Sequence, residues 1–187
     1  MLTVTGSVDR TFEFPADPKT TVTYYHNLKR LVAYLPHITL LHAYHDNHIS
    51  LKYEAEELQA YTIIIYCDLH ARIDADTNHL LIRPVRPENP VPAEATLSAT
   101  QGQGLFAMET KFTAIAAELT RIDYTLQLQA KLPRPRGMRL MPRRIVNRIT
   151  DQITNGRVLE IADGFITQSI AAFPAWQAAN PTAGQPA

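Results

Sequence analysis

Residues 122–132, IDYTLQLQAKL, place Ile122, Tyr124, Leu126, Leu128, Ala130 and Leu132 at every second position, with Asp123, Thr125, Gln127, Gln129 and Lys131 between them. Successive side chains of a strand point to opposite faces, so this stretch reads as a long strand with one face in a core and the other in water. The chain opens in a similar way, with Leu2, Val4, Val8, Phe12 and Phe14 largely alternating with polar residues up to Pro15. Shorter strands are expected over 38–45, 48–55, 61–73 and 80–85, separated by turns at Asp46-Asn47 and 74–78, which together read as an antiparallel meander. A less regular strand is expected over 106–116. Between these groups, RPENPVPAEATLSATQGQG (86–104) is rich in Pro, Ala and Gly and reads as a long loop.

Helical signals sit at two places. Asp17-Pro18 supplies an N-cap and a first-turn proline, and Asn27 caps a second short helix whose Leu28, Leu31, Val32 and Leu35 form a stripe ended by Pro36. Late in the chain the period changes to that of a long amphipathic helix: Ile145, Ile149, Ile153, then Leu159, Ala162, Phe165, Ile166, Ile170 and Phe173. Asn155-Gly156 is expected to bend or interrupt it. The class is α+β, with two short helices after the first strand and a curved antiparallel sheet wrapped around one long C-terminal helix.

A chain of 187 residues suits one domain, expected over 1–176, with 177–187 as a disordered tail. Its 18 Lys plus Arg balance 18 Asp plus Glu, so no global field draws it to nucleic acid. The single cysteine, Cys67, lies in an apolar run and reads as a buried thiol. No stretch approaches the ~20 apolar residues of a membrane span, and the start lacks a basic region followed by an apolar block. The expectation is a soluble, cytoplasmic protein, with peripheral membrane contact left open and no cofactor implied.

The opening FEFPADPKTTVTYYHNLKRLVAYLPHI and the closing RIVNRITDQITNGRVLEIADGFITQSI, with the strands between them, resemble the helix-grip fold of the START-like (SRPBCC) superfamily over roughly residues 2–175. More narrowly the chain resembles an uncharacterised START-like family of cyanobacteria and plastids. The resemblance implies a hydrophobic-ligand cavity between the sheet and the C-terminal helix. It carries no agreed activity, because the fold hosts carriers and enzymes alike.

Strand parity selects the residues expected to line that cavity: His42, Tyr44, Leu51, Tyr53, Ile65, Met108, Phe112, Tyr124 and Leu126, with Phe165 and Ile166 from the helix. HAYHDNH (42–48) has three histidines at every third position. A two-residue turn at Asp46-Asn47 puts His45 and His48 on one face and His42 on the other, so the three cannot converge on a metal ion. Asp68 and His70 fall on the solvent parity of their strand. His42 with Tyr53 or Tyr124 is the acid–base pair that a cyclase- or hydrolase-type enzyme would use, while the reading without catalysis is a carrier of a bulky hydrophobic molecule.

Two features remain. Gly164, inside the helical pattern, would let a strand or a ligand approach the helix backbone closely. KLPRPRGMRLMPRRIVNR (131–148) has seven basic residues and no acidic one. Its Arg134, Arg136, Met138, Arg139, Met141, Arg143 and Arg144 form a mix suited to an anionic membrane surface or a protein partner, as a membrane-associated assembly factor would use, and the absence of stacking aromatics argues against nucleic acid.

Overall fold

The structure, a computed structural model, describes residues 1–44, 47–57, 59–74 and 77–181. The elements run β1 (Leu2–Phe14), α1 (Pro18–Tyr25), α2 (Leu28–Ala33), β2 (Ile38–Ala43), β3 (His48–Glu57), β4 (Tyr61–Asp74), β5 (His79–Pro84), β6 (Glu94–Ala95), β7 (Ala99–Ala116), β8 (Leu119–Leu132), a 3₁₀ turn at Arg136–Met138, and α3 (Arg143–Ala179). One eight-stranded sheet has the order β1-β8-β7-β5-β4-β3-β2, with β6 on β7. Ile122 to Leu132 pair with Phe12 to Leu2 on one side, and Ile122 to Ala130 pair with Phe112 to Gly104 on the other, so the strand with the cleanest alternation lies inside the sheet.

Both capping expectations hold. Asp17 accepts from the Thr20 amide at 3.1 Å, and Asn27 accepts from the Arg30 amide at 3.1 Å. The two short helices fill one end of the groove between sheet and α3. Tyr24 and Tyr25 of α1 pack with Phe14, Phe112, Phe165 and Phe173, and both hydroxyls reach Ser169 of α3, at 2.8 Å to its carbonyl and 2.9 Å to its Oγ. Burial pushes both tyrosine pKa values up, so they are neutral hydrogen-bonding groups.

Several expectations are corrected. The segment 86–104 is not one loop: β6 lies inside it and β7 begins at Ala99. Gly102 and Gly104 belong to β7 and have no room for a side chain, because a Cβ would meet Leu132 Cδ2 at 3.0 Å and Ile65 Cγ2 at 2.4 Å respectively. Their inward positions had to be small, which erased the hydrophobic alternation. The antiparallel sheet holds as expected and carries one parallel stretch besides, where Thr62–Tyr66 of β4 pair with Ala99–Gln103 of β7, and β5 wedges between the same two strands further along. α3 continues without interruption through Asn155-Gly156 and reaches Ala179, past the expected boundary at 176, while 182–187 of the expected tail lie outside the described residues. Gly164 admits Pro36, whose Cγ would lie 2.5 Å from an added Cβ. No described helix is long and apolar enough to cross a membrane.

Candidate functional site: an apolar cavity under the first half of α3

The aromatic block at the α1/α2 end decides where space remains. At the other end, the inner faces of β1, β3, β4 and β8 and the first half of α3 enclose an apolar cavity of ≈ 40 Å³. Its wall is Leu2 and Val4, Tyr53 and Glu57, Tyr61, Ile63 and Ile65, Thr100, Leu128 and Leu132, Pro135 and Met138, and Ile149, Thr150, Ile153, Thr154, Arg157 and Ile161. A second space of ≈ 20 Å³ adjoins it through the shared Tyr53, Ile65, Leu128 and Ile161, and adds Ile38, Leu51, Cys67, Phe106, Leu126 and Val158. Each is about the volume of one water, so the site as it stands is small and greasy.

α3 is unevenly anchored over this space. Residues 143–157 bury Val146 and Thr154, whereas 158–173 bury Val158, Ile161, Ala162, Phe165, Ser169 and Phe173. Ile149 and Ile153, which line the cavity, are not among the buried residues of the helix. A helix segment with few buried apolar contacts opens at lower cost than the rest of its domain.

One charged cluster closes the wall. Glu57 continues the inward parity of Leu51, Tyr53 and Ala55 and is 6% exposed. Arg157 lies on the helix face of Thr150, Thr154 and Ile161, donating from Nε to Glu57 Oε1 at 2.7 Å and from Nη1 to Glu160 Oε2 at 2.5 Å. His37 Nε2 is 2.9 Å from Glu160 Oε1 and 3.2 Å from Arg157 Nη1, and since a guanidinium only donates, the tautomer with Nε2–H toward Glu160 is consistent with that carboxylate's depressed pKa. The two carboxylates hold the Arg157 pKa above its ordinary value. Burial, with Glu57 nearby, pushes the Tyr53 phenol up.

Of the residues expected in the cavity, Leu51, Tyr53, Ile65 and Leu126 line it. Met108, Phe112, Tyr124 and Phe165 are buried and Ile166 packs half-buried against the core, but none of the five lines either space, and Tyr25 of α1 packs on Phe112 and Phe165. Tyr124 stacks on Phe165 at 5.5 Å between ring centres, its hydroxyl buried without a hydrogen-bond partner among the described residues. His42 and Tyr44 are on the wrong face. A β-bulge between Leu40 and His42 shifts the parity by one, pairing His42 with Ser50 and turning Ala43 rather than His42 inward. His42 is exposed, its ring 4.6 Å from Tyr44, which stacks on His48 at 4.4 Å. His42 therefore shares no cleft with Tyr53 or Tyr124, and the expected acid–base pair is not assembled. His45 lies outside the described residues, so its pairing with His48 does too. Among the described residues no group of three or more His, Cys, Asp or Glu side chains is placed to hold a metal ion.

Asp68 is on the outer parity as expected but is only 5% exposed. It accepts from Gln103 Nε2 at 3.3 Å and lies 3.8 Å from His48 Nε2, and burial raises its pKa. Within the basic segment, Met138 faces the cavity and is buried, and Arg134 is half-buried with its guanidinium on the Met141 carbonyl. Arg136, Arg139, Arg143 and Arg144 are exposed around Leu140 (97% exposed), Met141 (37%) and Ile145 (48%).

The sequence reading missed Glu57 and Arg157. The available signal was a carboxylate at the end of an otherwise apolar parity and an arginine on the inward stripe of the helix. Each asks for a buried partner of opposite charge, but nothing local says that they are each other's.

No family model matches the sequence, and no curated protein does. Solved structures do. The Zhui aromatase/cyclase from Streptomyces sp. R1128 superposes with a TM-score of 0.53 at 9% identity over 97% of this chain and 99% of its own. A conserved protein from Geobacillus kaustophilus gives 0.53 at 13% identity over 94% and 97%, and a protein from Thermus thermophilus gives 0.50 at 15% over 89% and 99%. An open sheet of eight strands, a long C-terminal helix laid over it and two short helices after the first strand make this the START-like helix-grip fold.

Proposed function

We propose that the chain binds and carries a bulky hydrophobic molecule, such as a lipid, an isoprenoid or a pigment-related compound, between the sheet and the first half of α3. The observation that supports this is the pairing of an apolar cavity with a loosely anchored stretch of helix over it. A site of ≈ 40 Å³ takes no such ligand as it stands. Ligand pockets run to roughly 300 Å³ or more, so binding requires the start of α3 to swing away from the sheet on the anchored half that begins at Val158. Burying about 400 Å² of ligand is worth on the order of 10 kcal/mol before association and opening costs, which leaves room for both. The setting that the family resemblance implies, a cyanobacterial cytoplasm or a plastid, belongs to the same proposal. Native mass spectrometry of protein purified from its own host tests it: a hydrophobic adduct is expected, and protein that is empty both as purified and after incubation with lipid extract contradicts it. The enzyme reading has lost its histidine to the outer face.

A second reading concerns where the cargo is exchanged. Leu140, Met141 and Ile145 stand out among exposed arginines at the end of the cavity that Pro135 and Met138 close. We infer contact with an anionic bilayer, arginines at the headgroups and the apolar side chains at the interface. Co-sedimentation with phosphatidylserine-containing vesicles is expected, and reduced by Arg143→Glu with Arg144→Glu. Equal binding of the variant, or capture by a protein partner without vesicle binding, refutes it.

A further inference from the structure

We infer that the cavity selects an uncharged ligand whose polar end is a hydroxyl, and rejects the carboxylate of the same chain; this rests on the ligand-carrier reading above. The polar groups of the wall are already committed. Thr100 Oγ1 donates to the Pro133 carbonyl at 2.6 Å, Thr150 to that of Val146 at 2.9 Å and Thr154 to that of Thr150 at 2.7 Å. The guanidinium of Arg157, the cation of this wall, is shared by two carboxylates: Nε and Nη1 serve Glu57 and Glu160, and Nη2 points at Glu57 Oε2 and the Glu56 carbonyl, both at 3.4 Å. The cluster sets this one guanidinium against two carboxylates.

A ligand carboxylate arriving here meets a like charge and finds no uncommitted cation among the described residues of the wall, and stripping its water in an apolar site adds to the cost. A hydroxyl meets the opposite situation. The bond to Glu57 Oε2 is long, so that oxygen keeps acceptor capacity for an O–H. The Tyr53 phenol, kept neutral by burial, already directs its hydrogen bond to Glu57. The chemistry that fits is a long-chain or isoprenoid alcohol and not a fatty acid anion.

The test uses the full chain and a neutral solvatochromic dye, Nile red, displaced by dodecanol or by dodecanoate at pH 8. Dodecanol is expected to displace the dye at a concentration about tenfold lower than dodecanoate does, the effect of one partly screened like charge. The gap is expected to shrink in Glu57→Gln, which removes a negative charge from the wall, and in Glu160→Gln, an exposed position where folding is not at stake. Equal or tighter displacement by dodecanoate in the unaltered chain, or an unchanged gap in both variants, overturns the inference while leaving the carrier reading standing. A chain that takes up neither dye nor dodecanol overturns both.

Discussion

Replacing Gly6 by alanine tests how α3 is seated. Gly6 lies on β1 where α3 crosses it, and an added Cβ would be 2.6 Å from Val158 Cγ2 and 3.1 Å from Thr154 Cγ2. Comfortable carbon–carbon contact is about 3.5–4.0 Å, so the Val158 methyl must retreat by roughly 1 Å. A helical valine has one strongly preferred χ1, so the helix itself has to move. Overpacking of this kind costs about 1–3 kcal/mol, or a fall in Tm of about 2–4 °C for each kcal/mol in a chain of this size. In an uncrowded strand the same change would stabilise by about 0.4–1 kcal/mol through the unfolded chain, so the sign alone is informative. Thermal and urea unfolding followed by circular dichroism read the effect. Val158→Ala, itself destabilising, removes the methyl in the way, and Val158 Cβ, which remains, is 3.5 Å from the new Cβ. The double variant should then lose about 1–2 kcal/mol less than the sum of the two singles. A neutral or stabilising Gly6→Ala, or strict additivity with Val158→Ala, refutes the close seating of α3 on β1.

Other consequences follow from charge and burial. Burial raises the Asp68 pKa, so its contribution is fully favourable below the unfolded value near 3.9 and is lost as pH rises through the raised folded value. Asp68→Asn should therefore raise the urea midpoint at pH 7.5 and not at pH 3; an equal gain at both would contradict this. Glu160 runs the other way, because hydrogen bonds from His37 and Arg157 depress its pKa. Its contribution is present above the ordinary glutamate value and fades as pH falls through the depressed one, so Glu160→Gln should cost at most about 1 kcal/mol at pH 7.5, given its exposure, and nothing in strong acid. Cys67 lies in the wall of the inner space, with burial pushing its thiol up to about 12. It should resist iodoacetamide in the folded protein and react fully in urea, as read by intact mass; rapid labelling of folded protein would refute that burial.

The parts of the fold that could be read from the chain are those set by local periodicity. Ile122 to Leu132 declare a half-buried strand, Asp17 and Asn27 declare helix starts, and the late apolar stripe declares α3. What escaped was decided by contacts between distant residues. Gly102 and Gly104 are inward positions of β7 that hold no side chain because Leu132 and Ile65 crowd them, so β7's first half looks like a loop. A single bulged residue at Leu41 carried His42 from the inner face to the outer one. Asp68 sits on the parity expected for water and is nonetheless covered. The candidate site was legible only in its strand half, at Leu51, Tyr53, Ile65 and Leu126. Tyr24 and Tyr25 fill the end where Tyr124 and Phe165 were expected to meet a ligand, and Glu57 finds Arg157 across 100 residues of chain.

The most direct measurement is hydrogen–deuterium exchange along α3 with and without saturating dodecanol. Amides of residues 143–157 should exchange faster than those of 158–173 in the free protein, and slow markedly when ligand fills the space beneath them. Uniform protection along the helix, unaltered by dodecanol, would contradict a cavity that opens by moving the first half of α3.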